Sequence, residues 1–460
     1  MDAPMEPARA SAASDPGPLR GGGSYSRRQA HAIVAAMALV TLSLGLVQMP
    51  ISLMVDPVRQ SLGISDMQIS LLLGAATAVP FVLMSLVGGW LSDRVSRRLL
   101  LGLAMLVWTL GGVISALAES FDTLLAARVL LALGAGVKLP VIMTWINDAY
   151  PAEQRGRAIG AFFVVLGVGP SAAVMLTGAV QRAAEGGAFT AWAFVQTLEP
   201  WRVTTLMLAL PGLALLPLVL ALRDFRSCEV GDSDTPGSPA AGADTMPLGL
   251  IVLLATAASL VVLVDGANLA WMPTVFTRHY GYDAQQAGFT FGVVTLLAGS
   301  LGPLIGGWLG DHLYRRHGTP GRVWLAAGAC LCSVPLLAVY AVQAPAWLTV
   351  SLTLNGLCTV AALATTYVNA QALLPQRSRG VGTGLISAAT ALVGSAGPTL
   401  VAYASEHVLR GPMALPQSIA LVGSVGSLVA ALVLAAGASR LTQRSASAGS
   451  GRTTVPGSAR

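Results

Sequence analysis

Twelve stretches, each about as long as a bilayer-crossing helix requires (about 20 mostly apolar residues), follow one another along the chain. They fall at 30–54, 67–91, 99–118, 122–147, 157–180, 202–222, 248–272, 286–310, 322–343, 346–371, 381–404 and 415–437. Charged or Gly/Pro turns separate them. In hydrocarbon a segment must satisfy its own backbone, so these runs read as membrane helices. Hydrophobic residues make up 54% of the chain and charged residues 10%, against about 25% charged in soluble domains. That balance excludes a soluble enzyme, a nucleic-acid binder and a secreted disulfide scaffold. The expected fold is an all-α membrane protein with twelve transmembrane helices.

The basic residues orient the spans. Of 27 Lys and Arg, 20 lie in the two ends of the chain or in the loops after spans 2, 4, 6, 8 and 10. Arg59, Arg182, Arg278 and Arg410 lie on the opposite side; Arg128, Lys138 and Arg202 lie within spans or at their ends. Basic loops stay cytoplasmic, so both termini are expected in the cytoplasm. Short loops and a high Ala, Gly and Arg content suggest a bacterial inner membrane. No cleavable signal peptide is visible. Residues 1–29 and 438–460 read as disordered cytoplasmic tails, and the polar, Pro/Gly/Ser-rich stretch 223–247 as a cytoplasmic linker. Cys330, Cys332 and Cys358 lie in apolar stretches and read as small core residues, with no disulfides expected. Trp145 and Trp271 read as interfacial anchors, with a substrate-facing position as the alternative.

The chain repeats itself. Residues 89–98 (GWLSDRVSRR) and 307–316 (GWLGDHLYRR) share G-W-L-x-D-x-x-x-R-R at an offset of 218. The same offset matches Gly63 with Gly281, Gln68 with Gln286 and Gly74 with Gly292. Residues 151–160 and 375–384 share P-x-x-x-R-G-x-x-x-G at an offset of 224. The chain therefore reads as a duplication: a six-helix bundle at 30–222 and another at 248–437. An even number of spans gives both halves the same topology. Parallel repeats of this kind place a site near the midplane between them.

In each repeated loop an aspartate (Asp93, Asp311) sits at a helix end with two arginines behind it (Arg97 and Arg98, Arg315 and Arg316). Helix ends stabilise such charges, and arginines pair with carboxylates of neighbouring helices; Asp148, closing span 4 on the same face, is a candidate partner. These loops resemble the signature loops of the major facilitator superfamily. The segment 52–74, the Trp201–Arg202 pair and the run from Trp271 to Gly281 resemble its spinster-like branch. The resemblance implies a rocker-switch transporter whose signature loops latch the cytoplasmic side in the outward-open state. It also implies that Gly169–Pro170 and Gly397–Pro398 match helix kinks that seal the two halves. The chain departs from the branch at two places: its span-1 Asp-Arg pair is replaced by Val47 and Gln48, and its span-4 glutamate by Ala135. Coupling by the branch's usual acids is thereby put in question, leaving a uniporter, an exchanger or a new proton site.

Charges inside spans are the sharpest candidates for function, because a charge in mid-membrane costs roughly 2.5–3.5 kcal/mol. Lys138, the only lysine in the chain, reads as a contact for an anionic substrate group or as the partner of an internal acid. Pro140 is expected to break the helix just beyond it. Asp265 reads as a proton site, a substrate contact, the counter-charge of Lys138, or a cap at Gly266. Helical rise places it about 8 Å deeper than Lys138. Arg128 is either a cavity residue or an outer-boundary anchor. Gln48, Tyr367, Asn369 and Gln371 are neutral hydrogen-bonding candidates, although many such residues only join helices.

The expected activity is alternating-access transport of a small organic anion or anionic amphiphile. The alternatives are a proton-driven exporter of drug-like compounds and a non-transporting sensor on a transporter fold. His31, His279, His312, His317 and His407 are scattered, so no metal site is expected. No G-x-x-x-x-G-K-[ST] phosphate loop occurs, and no cofactor is expected. The partners expected are a small-molecule substrate, a coupling proton in the coupled variants and membrane lipid; nucleic acid is excluded, and the chain is expected to act as a monomer.

Overall fold

The computed structural model describes residues 25–92, 94–150, 152–224, 248–341, 344–373 and 379–450, with the side chains at 147, 152–153, 155–157, 159–160, 163, 248, 250–251, 341, 371–373, 379–383 and 441–450 outside that description. All regular structure among these residues is helical. Among the described residues, eleven helical stretches are long and apolar enough to cross a membrane. One of them, Ala284–Ala338, turns back at Gly318, whose φ of 65° and ψ of −157° break the helix. A glycine adopts that backbone without a Cβ penalty. The stretch thus holds spans 8 and 9, and the chain has twelve spans. With an even number, the first described helix begins and the last ends at one end of the bundle, termed here the terminal face; the other end is the far face.

The internal repeat carries into backbone detail. Gly63 (φ 63°) and Gly281 (φ 66°) each end a helix in the left-handed conformation. Each is followed by a capping box: Ser65 with Gln68 before span 2, and Asp283 with Gln286 before span 8. Reciprocal bonds of this type satisfy the otherwise free N–H groups of a helix start. The same local chemistry therefore opens the second helix of each half.

The two halves meet along two seams. In the seam between spans 5 and 8, a Cβ on Gly178 would overlap the Ala284 carbonyl, and nearer mid-membrane Gly167 meets the Gly299 carbonyl. Beyond that level Val164 and Leu304 are exposed. In the seam between spans 2 and 11, a Cβ on Gly74 would overlap the Ser395 carbonyl. The largest apolar core joins both halves at the far face, with Ile51, Ile69 and Trp201 from the first and Trp271, Phe276 and Tyr340 from the second. Nearer the terminal face each half keeps its own core. The molecule is closed at the far face and parted towards the terminal face.

Several details differ from expectation. The helix Phe121–Ala149 runs through Pro140 without a break; in membrane spans, neighbouring helices can re-satisfy the group a proline frees. Span 11 is interrupted at Ser395, between Arg379–Gly394 and Ala396–Tyr403, two residues before the expected Gly397–Pro398 kink. Span 7 continues to Tyr280. The last helix runs on to Ser450, so 438–450, read as tail, is helical. Trp145 and Trp271 are fully buried rather than interfacial, their indole N–H groups donating to the Tyr25 hydroxyl and the Pro398 carbonyl. Cys332 is exposed rather than in the core.

Candidate functional site

Two interrupted helices create the site. The helix Arg27–Gln48 ends before Pro50, which has no N–H to continue the ladder. The helix Asp66–Leu73 ends at Gly74 (φ −115°, ψ −95°). Helix ends leave carbonyls without backbone partners and carry negative partial charge. Arg128, from span 4, reaches both. Its Nη2 donates to the Gln48 carbonyl at 3.3 Å and its Nε to the Leu72 carbonyl at 3.5 Å. Arg128 is 4% exposed and lines a cavity of about 340 Å³ between the halves.

Gln48, Thr77, Asp265, Ser395 and Pro398 also line this cavity. Asp265 stands on span 7, in the half opposite Arg128. Its side chain is exposed to the cavity, and among the described residues it makes no ion pair. Asp265 and Leu269 also border a second cavity of about 760 Å³, which extends between spans 5, 7, 8 and 10. There Asn268 donates to the Asn355 side chain at 3.2 Å, while Asn268 Oδ1 and Asn355 Nδ2 stay buried without partners. Neither asparagine stood out in the sequence; neutral polar residues are too common in spans to be singled out.

The other candidates are placed as follows. Lys138 lies ten residues nearer the terminal face than Arg128, about 15 Å along the helix. It is 8% exposed and, among the described residues, makes no ion pair or hydrogen bond. It borders neither cavity and does not meet Asp265. Tyr367 packs among spans 7, 10 and 11, its hydroxyl 3.4 Å from that of Thr390. Asn369 is fully buried, and among the described residues neither of its amide atoms has a partner. The Gln371 side chain lies outside the described residues. Gly169 has open space around it, whereas Pro170 borders the second cavity. Gly397 packs against the Leu263 carbonyl of span 7, within its own half.

At the terminal face, Asp93 lies outside the described residues. Arg97 is buried and bonded to Asp148, and its backbone N–H donates to Asp224 at 2.7 Å. Asp224, read as linker, thus ties spans 3, 4 and 6 together. Asp311 pairs with Arg322 at 2.5 Å rather than with Arg315 or Arg316, which are exposed, as is Arg98. All these pairs stay within one half.

Charged links between the halves occur at the far face. Arg278 of span 7 donates to Asp56 at 2.7 Å and holds both oxygens of Asp66 at 2.7 and 2.9 Å. Arg182 pairs with Asp283, and the Met67 N–H donates to Glu406 at 3.0 Å. All of these partners lie more than a hundred residues apart, and no local spacing pairs them.

The sequence profile described as "Major Facilitator Superfamily" matches residues 36–398 and 254–455. The chain belongs to the Major Facilitator Superfamily. It is 26% identical over 321 residues to the probable sulfoacetate transporter SauU of Cupriavidus necator, covering 65% of this chain and 69% of that one. It is 24% identical over 280 residues to Protein spinster of Drosophila melanogaster, covering 58% and 43%. A bacterial homologue of the human lysosomal transporter Spinster, in an inward-facing and occupied conformation, superimposes with a TM-score of 0.75 at 20% identity, covering 91% of this chain and 98% of that one. The likeness to the spinster-like branch thus holds. This Major Facilitator Superfamily member is a secondary membrane transporter and not an enzyme.

Proposed function

We propose that this transporter moves a small organic anion, or an anionic amphiphile, by rocking its two halves about the cavity between Arg128 and Asp265. The observation that carries the reading is Arg128. A guanidinium has five N–H donors; two go to the Gln48 and Leu72 carbonyls, leaving three for a carboxylate or sulfonate. Lys138 is a second buried cation on the same helix and makes the first half more positive. The similarity to SauU, whose name gives it an anion as substrate, supports the same class. The larger, mostly apolar second cavity leaves room for an amphiphile's tail. Asp265 is the acid available for proton coupling.

The basic loops assign the terminal face to the cytoplasm. On that orientation the closed far face is extracytoplasmic and the conformation described is open to the cytoplasm. Alternating access then requires the Arg278 cluster to part and the terminal face to close. A substrate drives this only by binding the intermediate states differently.

The test is flux through purified protein in liposomes, with labelled sulfoacetate, gluconate and hexanoate as trial anions. Uptake of an anion that is lost in Arg128→Met supports the reading. An Asp265→Asn variant is expected to lose its response to an imposed pH gradient, and a full response would remove Asp265 from coupling. Transport of cations alone would overturn the anion assignment, and the absence of any flux would favour a sensor.

A further inference from the structure

An apolar groove of about 810 Å³ lies in the second half, away from the cavities between the halves. Spans 8, 9 and 10 form it, with Leu309, Leu313, Trp324, Gly328, Cys332 and Leu357 among its lining. Its terminal-face end is bordered by His317, Pro320 and Gly321. His317 directly follows Arg315 and Arg316, and all three are exposed. Asp311, the acid of this loop, is already bound by Arg322, which also lies over the Tyr314 ring at 4.2 Å. Trp308 and Trp324 are exposed on the same side at 74% and 50%, as aromatic residues at a membrane boundary are.

We propose that this groove binds one anionic phospholipid, an acyl chain lying between spans 8, 9 and 10 and the headgroup resting on Arg315, Arg316 and His317. Three features select this occupant. The groove wall is apolar along its length and suits hydrocarbon rather than a polar metabolite. Its mouth meets the face where headgroups lie. His317 lines that mouth, and the two exposed arginines that precede it in sequence make no ion pair among the described residues; basic clusters beside spans attract anionic lipid. The site also has a mechanical link to transport. Span 10 presents Leu357, Cys358 and Ala361 to the groove and Asn355, Gly356 and Val360 to the second cavity. A lipid in the groove therefore braces the helix that forms one wall of the transport pathway.

The experiment uses the full-length chain in nanodiscs of phosphatidylcholine, alone or mixed with phosphatidylglycerol, with retained lipid counted by native mass spectrometry. Wild type is expected to retain one phosphatidylglycerol in preference to phosphatidylcholine. Each arginine contributes about fivefold to such binding, so the double variant R315A/R316A is expected to weaken retention about thirtyfold. Gly328→Leu projects into the groove, where the first carbon of a side chain meets open space, and this variant, with its fold checked by an unfolding scan, is expected to exclude the lipid. Equal retention of the two lipids by wild type would overturn the headgroup assignment. Undiminished retention by Gly328→Leu would overturn the groove.

Discussion

Arg278 and Asp66 are joined by two parallel hydrogen bonds, 2.7 and 2.9 Å long, although 212 residues separate them and they belong to opposite halves. Asp66 is the first residue of span 2, just after the Ser65 cap, and Arg278 lies in the last turn of span 7, just before Gly281. The duplicated helix–glycine–cap device thus places an acid from one half opposite a base from the other. Bidentate pairs of this geometry are the stronger class of charged hydrogen bond.

Replacing Asp66 by Asn is expected to loosen the far face. Hydrogen bonds to charged groups contribute about 1.5–3 kcal/mol, so the ratio of closed to open far face should fall by roughly tenfold or more. Spin labels on the loops after spans 1 and 7 should report a longer distance. An unchanged distance distribution would remove this pair from the closure.

Lysine is not expected to replace Arg128. One ammonium on a flexible stem cannot hold the Gln48 and Leu72 carbonyls and still present a planar fork to a carboxylate. Arg128→Lys should weaken anion binding at least tenfold and lower thermal stability by about 1–3 kcal/mol. Calorimetric titration with the transported anion, alongside an unfolding scan, separates the two effects.

Two glycine-to-alanine changes should behave oppositely. At Gly74 the new methyl overlaps the Ser395 carbonyl of the other half, so the seam between spans 2 and 11 must shift at a cost of about 1–3 kcal/mol. At Gly169 the methyl meets open space, and alanine favours the helix by up to about 1 kcal/mol. A lowered melting temperature in Gly74→Ala beside an unchanged or raised one in Gly169→Ala is the expected pattern. Equal losses would show that Gly169 also seals the halves.

The far face carries an acid-sensitive tie at Glu199. Its carboxylate accepts from Ser61, Trp201 and Arg202. The Ser61 hydroxyl foremost, with the Trp201 and Arg202 contacts, holds its pKa below the ordinary glutamate value against a partial opposing effect of burial. A depressed carboxylate pKa stabilises the fold fully above the unfolded-state value, about 4.3, and that contribution is lost as pH falls through the folded-state value. The group is half exposed, so the effect should be under about 1 kcal/mol. Glu199→Gln should flatten the acid limb of a stability–pH profile while leaving neutral stability slightly lower; an unaltered limb would place the acid sensitivity elsewhere.

The spans and the duplication were legible because hydrocarbon demands long apolar runs and the repeat kept Gly63 and Gly281, Gln68 and Gln286 in register. Arg128 and Asp265 were legible as charges inside spans. Which cation borders the cavity was not. Lys138 drew attention as the only lysine in the chain, but rarity encodes neither depth nor direction, and Arg128 is the cation at the cavity wall. The ion pairs were illegible for a related reason: Arg97 with Asp224, Asp311 with Arg322 and Arg278 with Asp66 depend on helix packing that no local spacing records. The Pro140 break failed because a membrane helix can absorb a proline, whereas the interruption at Ser395 falls two residues before the Gly397–Pro398 kink that the resemblance implied.

Arg128 ties the carbonyl ends of two interrupted helices to the cavity wall, and this makes occupancy a mechanical event. On the proposed function, a carboxylate would use the three donors that the Gln48 and Leu72 carbonyls leave free. Cargo and the ends of spans 1 and 2 would then hang from one planar group, so any shift of that group on loading would be felt by both helices at once.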